Sequence, residues 1–191
     1  MKKIIIATSN PHKLTEMNDI NSFSDICFDV INGDFEPDEN GKTFLENAII
    51  KAKEGAKILG EYCLADDSGL CVDALNGLPG LHSARYAETR EKRIQRLLSE
   101  LKGKENRKAH FICTMALVSP SGEVLHTTEG RVNGEIIDEL KGLNGFGYDP
   151  VFFIPEYNQT MAEMSEKEKN KISHRSNALR PMLEWINENL Q

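Results

Sequence analysis

The sequence lacks the surplus of positive charge with which proteins bind nucleic acids or anionic membranes in general. It has 23 Lys and Arg residues against 30 Asp and Glu residues, and its formal net charge is −7 at pH 7. This balance argues against a nucleic-acid partner and against a membrane-surface partner. If the ligand is an anion, a local group of basic residues or a bound cation has to attract it.

Paired cysteines, zinc-binding spacings and long apolar runs are also missing. The four cysteines are scattered, with no Cys-x-x-Cys pair and no matching His spacing, which excludes a zinc site and favours reduced thiols. The apolar stretch after Met1 is too short for a signal peptide and no run could span a bilayer, so we expect a cytoplasmic protein. The 191 residues, 39% hydrophobic and 28% charged, predict a single domain over 1–191 with room for two lobes.

The most informative stretch that is present runs from Leu64 to Val72 and contains two adjacent acids, Asp66 and Asp67. A strand is predicted over Tyr62 to Ala65, and neighbouring side chains of a regular strand point to opposite faces. The two acids therefore cannot both face one site, and charges in a buried strand need compensation by a metal or by hydrogen-bond donors. A functional site and an ordinary strand end with solvated aspartates both stay open here.

A turn near the start of the chain predicts an anion site. Lys3 to Ala7 is a short apolar run typical of a central strand, and Asn10 followed by Pro11 indicates a helix start. The N–H groups and the positive end of such a helix attract anions, and Lys13 adds a cation. A helix start without a ligand is the alternative. The glycines of a Walker loop are absent, so that motif is excluded.

An acidic loop and a second helix follow. Gly33 to Lys42, here called the acidic loop, includes Glu39 and is rich in turn-forming residues. Thr43 to Glu46 matches a capping box, which already explains Glu46, and Gly60 is expected to end the helix. Lys51 lies four residues after Asn47, so the two share one helix face. A lysine there is most often only solvated.

Two further segments carry residues suited to a nucleotide. Gly142 to Pro150 contains three glycines, two aromatics and an acid, a pattern that permits close approach of a ligand and stacking of a base. A turn with two anchoring aromatics is the alternative. A dinucleotide fingerprint is excluded, because its three glycines have a fixed spacing, the last of them is absent here, and a proline stands where the helix should begin. Ser173-His174-Arg175 opens the last predicted helix, where cations are electrostatically unfavourable. A ligand, solvent exposure or a nearby carboxylate each explains that pair.

Five segments occur in one order: Thr8-Ser9-Asn10-x-x-Lys13, Thr43-Phe44-x-Glu46-Asn47-Ala48, Ala65-Asp66-Asp67-Ser68-Gly69-Leu70, Phe146-Gly147-Tyr148-Asp149-Pro150 and Ser173-His174-Arg175. Together they resemble the inosine/xanthosine triphosphate pyrophosphatases, a family that acts on non-canonical purine nucleoside triphosphates. The resemblance implies an α/β fold with an elongated mixed β-sheet flanked by helices, two lobes with a central cleft, and a homodimer.

The resemblance also implies an activity. The expected substrates are ITP, dITP and XTP, in which water attacks the α-phosphorus to give the monophosphate and pyrophosphate with Mg²⁺ as cofactor. Asp67 would be the general base and, with Glu39, a metal ligand. Lys169, His174 and Arg175 would read the base. The implied substrate-binding residues are Thr8, Ser9, Asn10, Pro11, His12, Lys13, Lys51, Ser68, Phe146, Gly147, Tyr148, Asp149, Lys169, His174 and Arg175.

Three other functions are alternatives to this one. A nucleotide-binding or sensing protein without turnover would use the same residues. A pyrophosphatase for modified pyrimidine nucleotides would differ only in its substrate. A phosphatase of the aspartyl-phosphate type is disfavoured, because that chemistry uses an Asp-x-Asp spacing that puts both carboxylates on one face, whereas Asp66 and Asp67 are adjacent.

Overall fold

A computed structural model describes residues 2–21, 25–31 and 35–190 of the chain. Within these ranges it has five α-helices and seven β-strands, and none of the helices is long and apolar enough to cross a membrane. The helices are α1 (Pro11–Ile20), α2 (Phe44–Leu59), α3 (Arg90–Glu100), α4 (Glu166–Ile172) and α5 (His174–Asn189). The strands are β1 (Lys2–Ile6), β2 (Ile26–Val30), β3 (Cys63–Val72), β4 (Lys108–Val118), β5 (Val124–Ile136), β6 (Phe152–Ile154) and β7 (Gln159–Thr160).

The strands form a mixed sheet in the order β2-β1-β3-β4-β5-β6-β7. β1 pairs in parallel with β2 and with β3, whereas β6 pairs antiparallel with β5 and with β7. Parallel neighbours need a crossover connection, and α1 and α2 lie in the two crossovers at this end of the sheet. The predicted α/β class with a mixed sheet and flanking helices is confirmed. The elongated shape and the cleft stay predictions.

The helices α2 and α4 begin at the capping residues that the sequence predicted, and one predicted hydrogen bond of the α2 cap is different. Thr43 begins α2, and its Oγ1 accepts a hydrogen bond from the Glu46 N–H at 3.1 Å. The carboxylate of Glu46 accepts from the N–H of Lys42 at 2.6 Å, so the predicted reciprocal box with Thr43 is incomplete. Gly60 ends α2 with a φ of 66°, a left-handed conformation that glycine adopts at low cost. A complete capping box begins α4 at Ser165.

β3 is longer than the predicted strand over Tyr62 to Ala65. It runs from Cys63 to Val72, so Asp66 and Asp67 lie within the strand and not at its end. The Asp66 carboxylate lies beside two cations, and an amide and a lysine contact Asp67. Because these partners compensate both charges, β3 continues through the two acids, and the strand end that the sequence left open as an alternative is not present.

The chain divides into two compact units, described here separately. Unit 1 comprises residues 1–67, 113–130 and 174–191. One of its apolar clusters joins β1 residues such as Ile4 and Ile6 to Leu179 and Met182 of α5, and α1 packs against α5. A second cluster joins Ile5 of β1 to small residues of α2, among them Ala52. Both faces of β1 are thus buried, as expected for a fully apolar strand.

Unit 2 comprises residues 68–112 and 131–173. Its core collects Leu97 of α3, Phe111 of β4 and Phe152 of β6, and the two phenylalanine ring centroids are 4.5 Å apart. Burial of each such side chain contributes about 1.5–3 kcal/mol to folding. The glycine-rich segment 142–150 belongs to this unit and lies on the chain between β5 and β6.

Candidate functional site

The turn between β1 and α1 presents the positive end of a helix. Asn10 is the N-cap of α1, as predicted, and its Oδ1 accepts a hydrogen bond from the His12 N–H at 3.0 Å. Thr8 Oγ1 accepts a second bond from the Asn10 N–H at 3.2 Å. Pro11 is the first helical residue, and both Pro11 and His12 are exposed. The turn therefore places hydroxyl and amide groups at a helix N-terminus, where an anion is stabilised.

Asp66 lies at the centre of a buried group of charges in unit 1. Its side chain has no exposed surface, and its Oδ2 lies 3.0 Å from Lys13 Nζ and 3.2 Å from Arg175 Nη2. The thiol of Cys113 donates to the same oxygen at 3.7 Å. Burial by itself would raise the pKa of Asp66. The cations, Lys13 first and Arg175 next, outweigh burial and hold the pKa well below its usual range.

Asp67 points to the other face of β3 and has different partners. Asn47 Nδ2 donates to Asp67 Oδ2 at 3.1 Å, and Lys51 Nζ lies 3.5 Å from Asp67 Oδ1. Glu39 Oε2 lies 2.8 Å from the same Lys51 ammonium. Burial raises the pKa of Asp67, and the attraction of Lys51 opposes this effect without cancelling it. A carboxylate with a raised pKa is a stronger base than an ordinary aspartate.

Lys51 is charged although it is buried. Desolvation alone would lower its pKa, but the carboxylates of Asp67, Asp66 and Glu39 outweigh that effect and raise the pKa. The lysine predicted on spacing alone is therefore not a solvated surface residue. Its ammonium stands between the carboxylates of Glu39 and Asp67.

The carboxylates of Glu39 and Asp67 fit a hard divalent cation by their chemistry. Both approach a single positive charge, and carboxylate oxygens are the protein ligands that Mg²⁺ takes. Within residues 2–21, 25–31 and 35–190, no group of three or more His, Cys, Asp or Glu side chains is arranged to hold a metal. A set of two carboxylates still suits Mg²⁺, which keeps waters and is completed by substrate phosphates.

Arg175 and His174 are buried at the start of α5. Arg175 donates to a carboxylate oxygen of Glu16 and to Asp66 Oδ2. Burial alone would lower the pKa of the guanidinium, but attraction to Asp66 and Glu16 outweighs it and raises the pKa further. Nearby carboxylates thus account for a cation at a helix N-terminus, one of the three explanations that the sequence left open.

In unit 2 the glycine-rich segment is organised by Asp149. Its Oδ2 accepts from the Phe146 N–H at 2.9 Å and lies 2.8 Å from Lys169 Nζ. The same ammonium lies 4.9 Å from the centroid of the Phe146 ring. Tyr148 is buried, and its hydroxyl donates to the backbone oxygen of Ser83 at 2.9 Å. Of the two aromatics, Tyr148 is therefore an anchor and Phe146 is the partly exposed ring.

The predicted site residues divide between the two units. Unit 1 contains the 8–13 turn, Glu39, Lys51, Asp67, His174 and Arg175, and it brings Glu39, Lys51 and Asp67 into direct contact. Unit 2 contains Ser68, residues 146–149 and Lys169, and it brings Phe146, Asp149 and Lys169 together. Gly33 and Asp34 of the acidic loop lie outside the described residues. The assignment of all these residues to one ligand site stays a prediction.

The sequence also matches a family model. The match to the Ham1 family extends over residues 4–185 of the 191. This chain belongs to the Ham1 family. The family predicted from the five motifs is confirmed by this match and by relatives named dITP/XTP pyrophosphatase.

Several relatives of this member of the Ham1 family are similar to it over nearly their whole length. The dITP/XTP pyrophosphatase of Synechocystis sp. is 44% identical over 186 residues, which cover 97% of this chain and 96% of that protein. The Bacillus subtilis protein of the same name is 46% identical and covers 95% of this chain and 96% of its own. The solved Ham1 protein of Staphylococcus aureus has a TM-score of 0.87 at 41% identity, covering 98% and 99% of the two chains. A HAM1 protein from Coxiella burnetii has a TM-score of 0.89 at 42% identity, covering 98% and 100%.

Three residues of the Ham1 chain that contact the site were not predicted as part of it. Asn47 contacts Asp67, and its position four residues before Lys51 was the available signal. The sequence identified Asp66 as the neighbour of Asp67 but assigned no role to it. Glu16 lies three residues after Lys13 on α1, which is neighbouring helical spacing, but nothing in the sequence indicated its distant partner Arg175.

Gly145→Ala is expected to destabilise this Ham1 chain more than Gly147→Ala. Both glycines have positive φ, 68° and 59°, so any Cβ there costs about 1–2 kcal/mol. A Cβ at Gly145 would also lie 2.1 Å from Asp149 Oδ2, whereas nothing lies within 4 Å of one at Gly147. The clash breaks the Phe146 to Asp149 hydrogen bond and adds about 1–3 kcal/mol. Urea unfolding of both variants measures the difference, and equal losses would contradict the argument.

Proposed function

We propose that this Ham1-family chain hydrolyses the non-canonical purine nucleoside triphosphates dITP, ITP and XTP to the monophosphate and pyrophosphate, and so removes them from the nucleotide pool. The activity predicted from the motifs agrees with the dITP/XTP pyrophosphatase names of its relatives. The observation that carries the proposal is the contact of the Lys51 ammonium, in α2, with the carboxylates of Asp67 in β3 and Glu39 in the acidic loop.

Asp67 is the proposed general base. A water molecule attacks the α-phosphorus, its proton passes to the Asp67 carboxylate, and the bond from the α-phosphorus to the bridging oxygen breaks to release pyrophosphate. The burial that raises the pKa of Asp67 suits it to accept that proton. The bond from Asn47 Nδ2 to Oδ2 holds the carboxylate in one orientation.

The triphosphate is held by local positive charge. The whole chain has a net charge of −7, so the attraction has to come from particular groups. The turn from Thr8 to Lys13 supplies a helix N-terminus and a lysine, and Lys51 supplies a second ammonium. When bound, Mg²⁺ on Glu39 and Asp67 would neutralise phosphate charge and lower the pKa of the attacking water.

A second set of the predicted site residues binds the nucleoside. Phe146 to Asp149 enclose it, Ser68 contacts the substrate, and Lys169, His174 and Arg175 read the base. Lys169 is oriented by Asp149 at 2.8 Å and Arg175 by Asp66 at 3.2 Å. Donors that meet a 6-keto oxygen lose about 1–3 kcal/mol each when an adenine amino group faces them, which gives roughly tenfold or greater discrimination.

We extend the proposal to the whole chain and its setting. The family match spans both compact units, which supports one pyrophosphatase domain over residues 1–191. All four cysteines have free thiols, which supports a reducing cytoplasm as the location. A homodimer is proposed from the motif resemblance alone.

A panel of triphosphates tests the proposed function. With Mg²⁺, we expect kcat/KM for dITP and XTP to exceed that for ATP by about tenfold or more, with pyrophosphate as the second product. Chelation of Mg²⁺ by EDTA should abolish turnover. The positive charges of Lys13 and Lys51 are offset by neighbouring carboxylates, so the two lysines alone do not neutralise a triphosphate. Phosphate release with and without added inorganic pyrophosphatase identifies the product.

Two outcomes would contradict the proposal. Tight binding of dITP without pyrophosphate release would indicate a binding or sensing protein. Faster turnover of methylated pyrimidine triphosphates than of dITP and XTP would indicate a different substrate class. ATP is the matched control for ITP and dATP for dITP, because each pair shares the sugar, the triphosphate and the purine ring and differs at the 6-position.

A further inference from the structure

The side chain of Asn47 contacts the proposed base on one side and the acidic loop on the other. Asn47 lies in the first turns of α2 and is 2% exposed. Its Nδ2 donates to Asp67 Oδ2 at 3.1 Å, and its Oδ1 accepts from the Gly41 N–H at 2.8 Å. A buried amide that has both a donor contact and an acceptor contact is satisfied in a single orientation.

The chemistry of the partners determines which amide atom faces which group. The Asp67 carboxylate only accepts, so it requires the NH₂ group, and a backbone N–H only donates, so Gly41 requires the carbonyl oxygen. Among residues of this size, asparagine alone supplies both. Aspartate lacks the donor, and leucine, which has a similar shape, lacks both groups.

The acidic loop approaches α2 closely at Gly41. A Cβ on Gly41 would lie 2.6 Å from Asn47 Oδ1 and 2.7 Å from Glu46 Cβ, so a larger residue does not fit. A second bond joins the same segments, from the Lys42 N–H to Glu46 Oε2 at 2.6 Å. Glu39 lies two residues before Gly41 in the acidic loop. The two bonds therefore hold Glu39 beside α2, where its carboxylate contacts Lys51.

We propose that Asn47 is a positioning residue that holds Asp67 and the Glu39 segment in the geometry needed for turnover. This inference rests on the proposed function. Asn47 donates a hydrogen bond to Oδ2 of Asp67, and the other carboxylate oxygen, Oδ1, lies next to the Lys51 ammonium. Displacement of a reacting group by about 1 Å costs on the order of 100-fold in rate, so the loss of one amide is expected to lower kcat.

Two variants separate the two contacts. Asn47→Leu removes both, and Asn47→Asp keeps an acceptor for Gly41 while it replaces the donor to Asp67 by a carboxylate that repels Asp67. Both are expected to lower kcat for dITP about 10- to 100-fold while KM changes less than about threefold. Asn40→Leu is the matched control, because Asn40 is an exposed residue of the same loop, and it should leave kcat and KM unchanged.

Amide exchange of Gly41, followed by NMR without metal or nucleotide, gives a readout independent of activity. Exchange should accelerate about tenfold or more in Asn47→Leu and stay near the wild-type rate in Asn47→Asp and Asn40→Leu. If Asn47→Leu fails to fold, Asn47→Asp still tests the donor through kcat. Circular dichroism at the assay temperature verifies that each variant is folded.

The outcomes distinguish this inference from the proposed function. If the wild-type chain turns over no triphosphate, the proposed function fails, and Gly41 exchange still decides whether Asn47 holds the loop. If the wild type is active and both variants keep kcat within threefold, the inference is overturned. A loss confined to KM would overturn it as well, since it would assign Asn47 to substrate binding.

Discussion

Asp67→Asn is expected to lower kcat for dITP hydrolysis by about 10²- to 10⁴-fold while nucleotide binding stays measurable. Asparagine has nearly the same shape and keeps an oxygen for the bond from Asn47. Its amide cannot take the proton from water, and it removes one of the two carboxylates beside Lys51. Pyrophosphate release gives kcat, and calorimetric titration with dITP gives Kd.

Asp38→Asn is the matched control for this variant. Asp38 lies next to Glu39 in the acidic loop but is exposed, and its Oδ2 accepts only a 3.3 Å bond from Asn40 among the contacts described. The same change of charge there should leave kcat within about twofold of wild type. Full activity of Asp67→Asn would remove this residue from the mechanism, and a loss of equal size in both variants would point to net charge instead.

Asp66→Asn is expected to lower the free energy of unfolding by about 3–5 kcal/mol, because it leaves buried cations without their carboxylate. Asp66 has no exposed side-chain surface, and its Oδ2 meets both Lys13 at 3.0 Å and Arg175 at 3.2 Å. Removing one member of a buried charge group costs more than the group contributes relative to an apolar core. Urea unfolding at neutral pH measures the loss.

Asp29→Asn is the control for Asp66→Asn. Asp29 forms an ion pair with Lys3 at 3.5 Å in which both side chains are more than half exposed, so the loss should be under about 1 kcal/mol. Because folding lowers the pKa of Asp66, its contribution is fully present above the unfolded pKa of about 4 and is lost as the pH falls below it. The gap between wild type and Asp66→Asn should therefore shrink in acid, and a gap independent of pH would contradict this.

Local rules account for the parts of the fold that the sequence predicted. Asn10 with Pro11, Ser165 with Glu168, and Gly60 each act on backbone groups within four residues, so their effects are readable from short segments. The family assignment also came from short motifs. Each motif is weak alone, but their order along the chain is specific.

The predictions that differed from the structure depended on distant partners. The sequence predicts a strand over Tyr62 to Ala65 and leaves an ordinary strand end with solvated aspartates open as one of two alternatives. Partners from α1, α2 and α5 neutralise those charges, and β3 continues to Val72. Glu46 accepts from Lys42 in place of Thr43, since the acidic loop returns to α2 through Gly41.

By itself, the sequence determined that Asp66 and Asp67 would face opposite sides if the strand continued through them, because the period of two is a property of extended backbone. It also determined the family, the helix starts and the residue types available for chemistry. Only the tertiary structure decided which acid meets which partner: Asp66 contacts Arg175, 109 residues away, and Asp67 contacts Asn47, 20 residues away. The reason is physical. A buried charge is stabilised by whatever groups folding brings within a few ångströms, and separation along the chain carries no information about that distance.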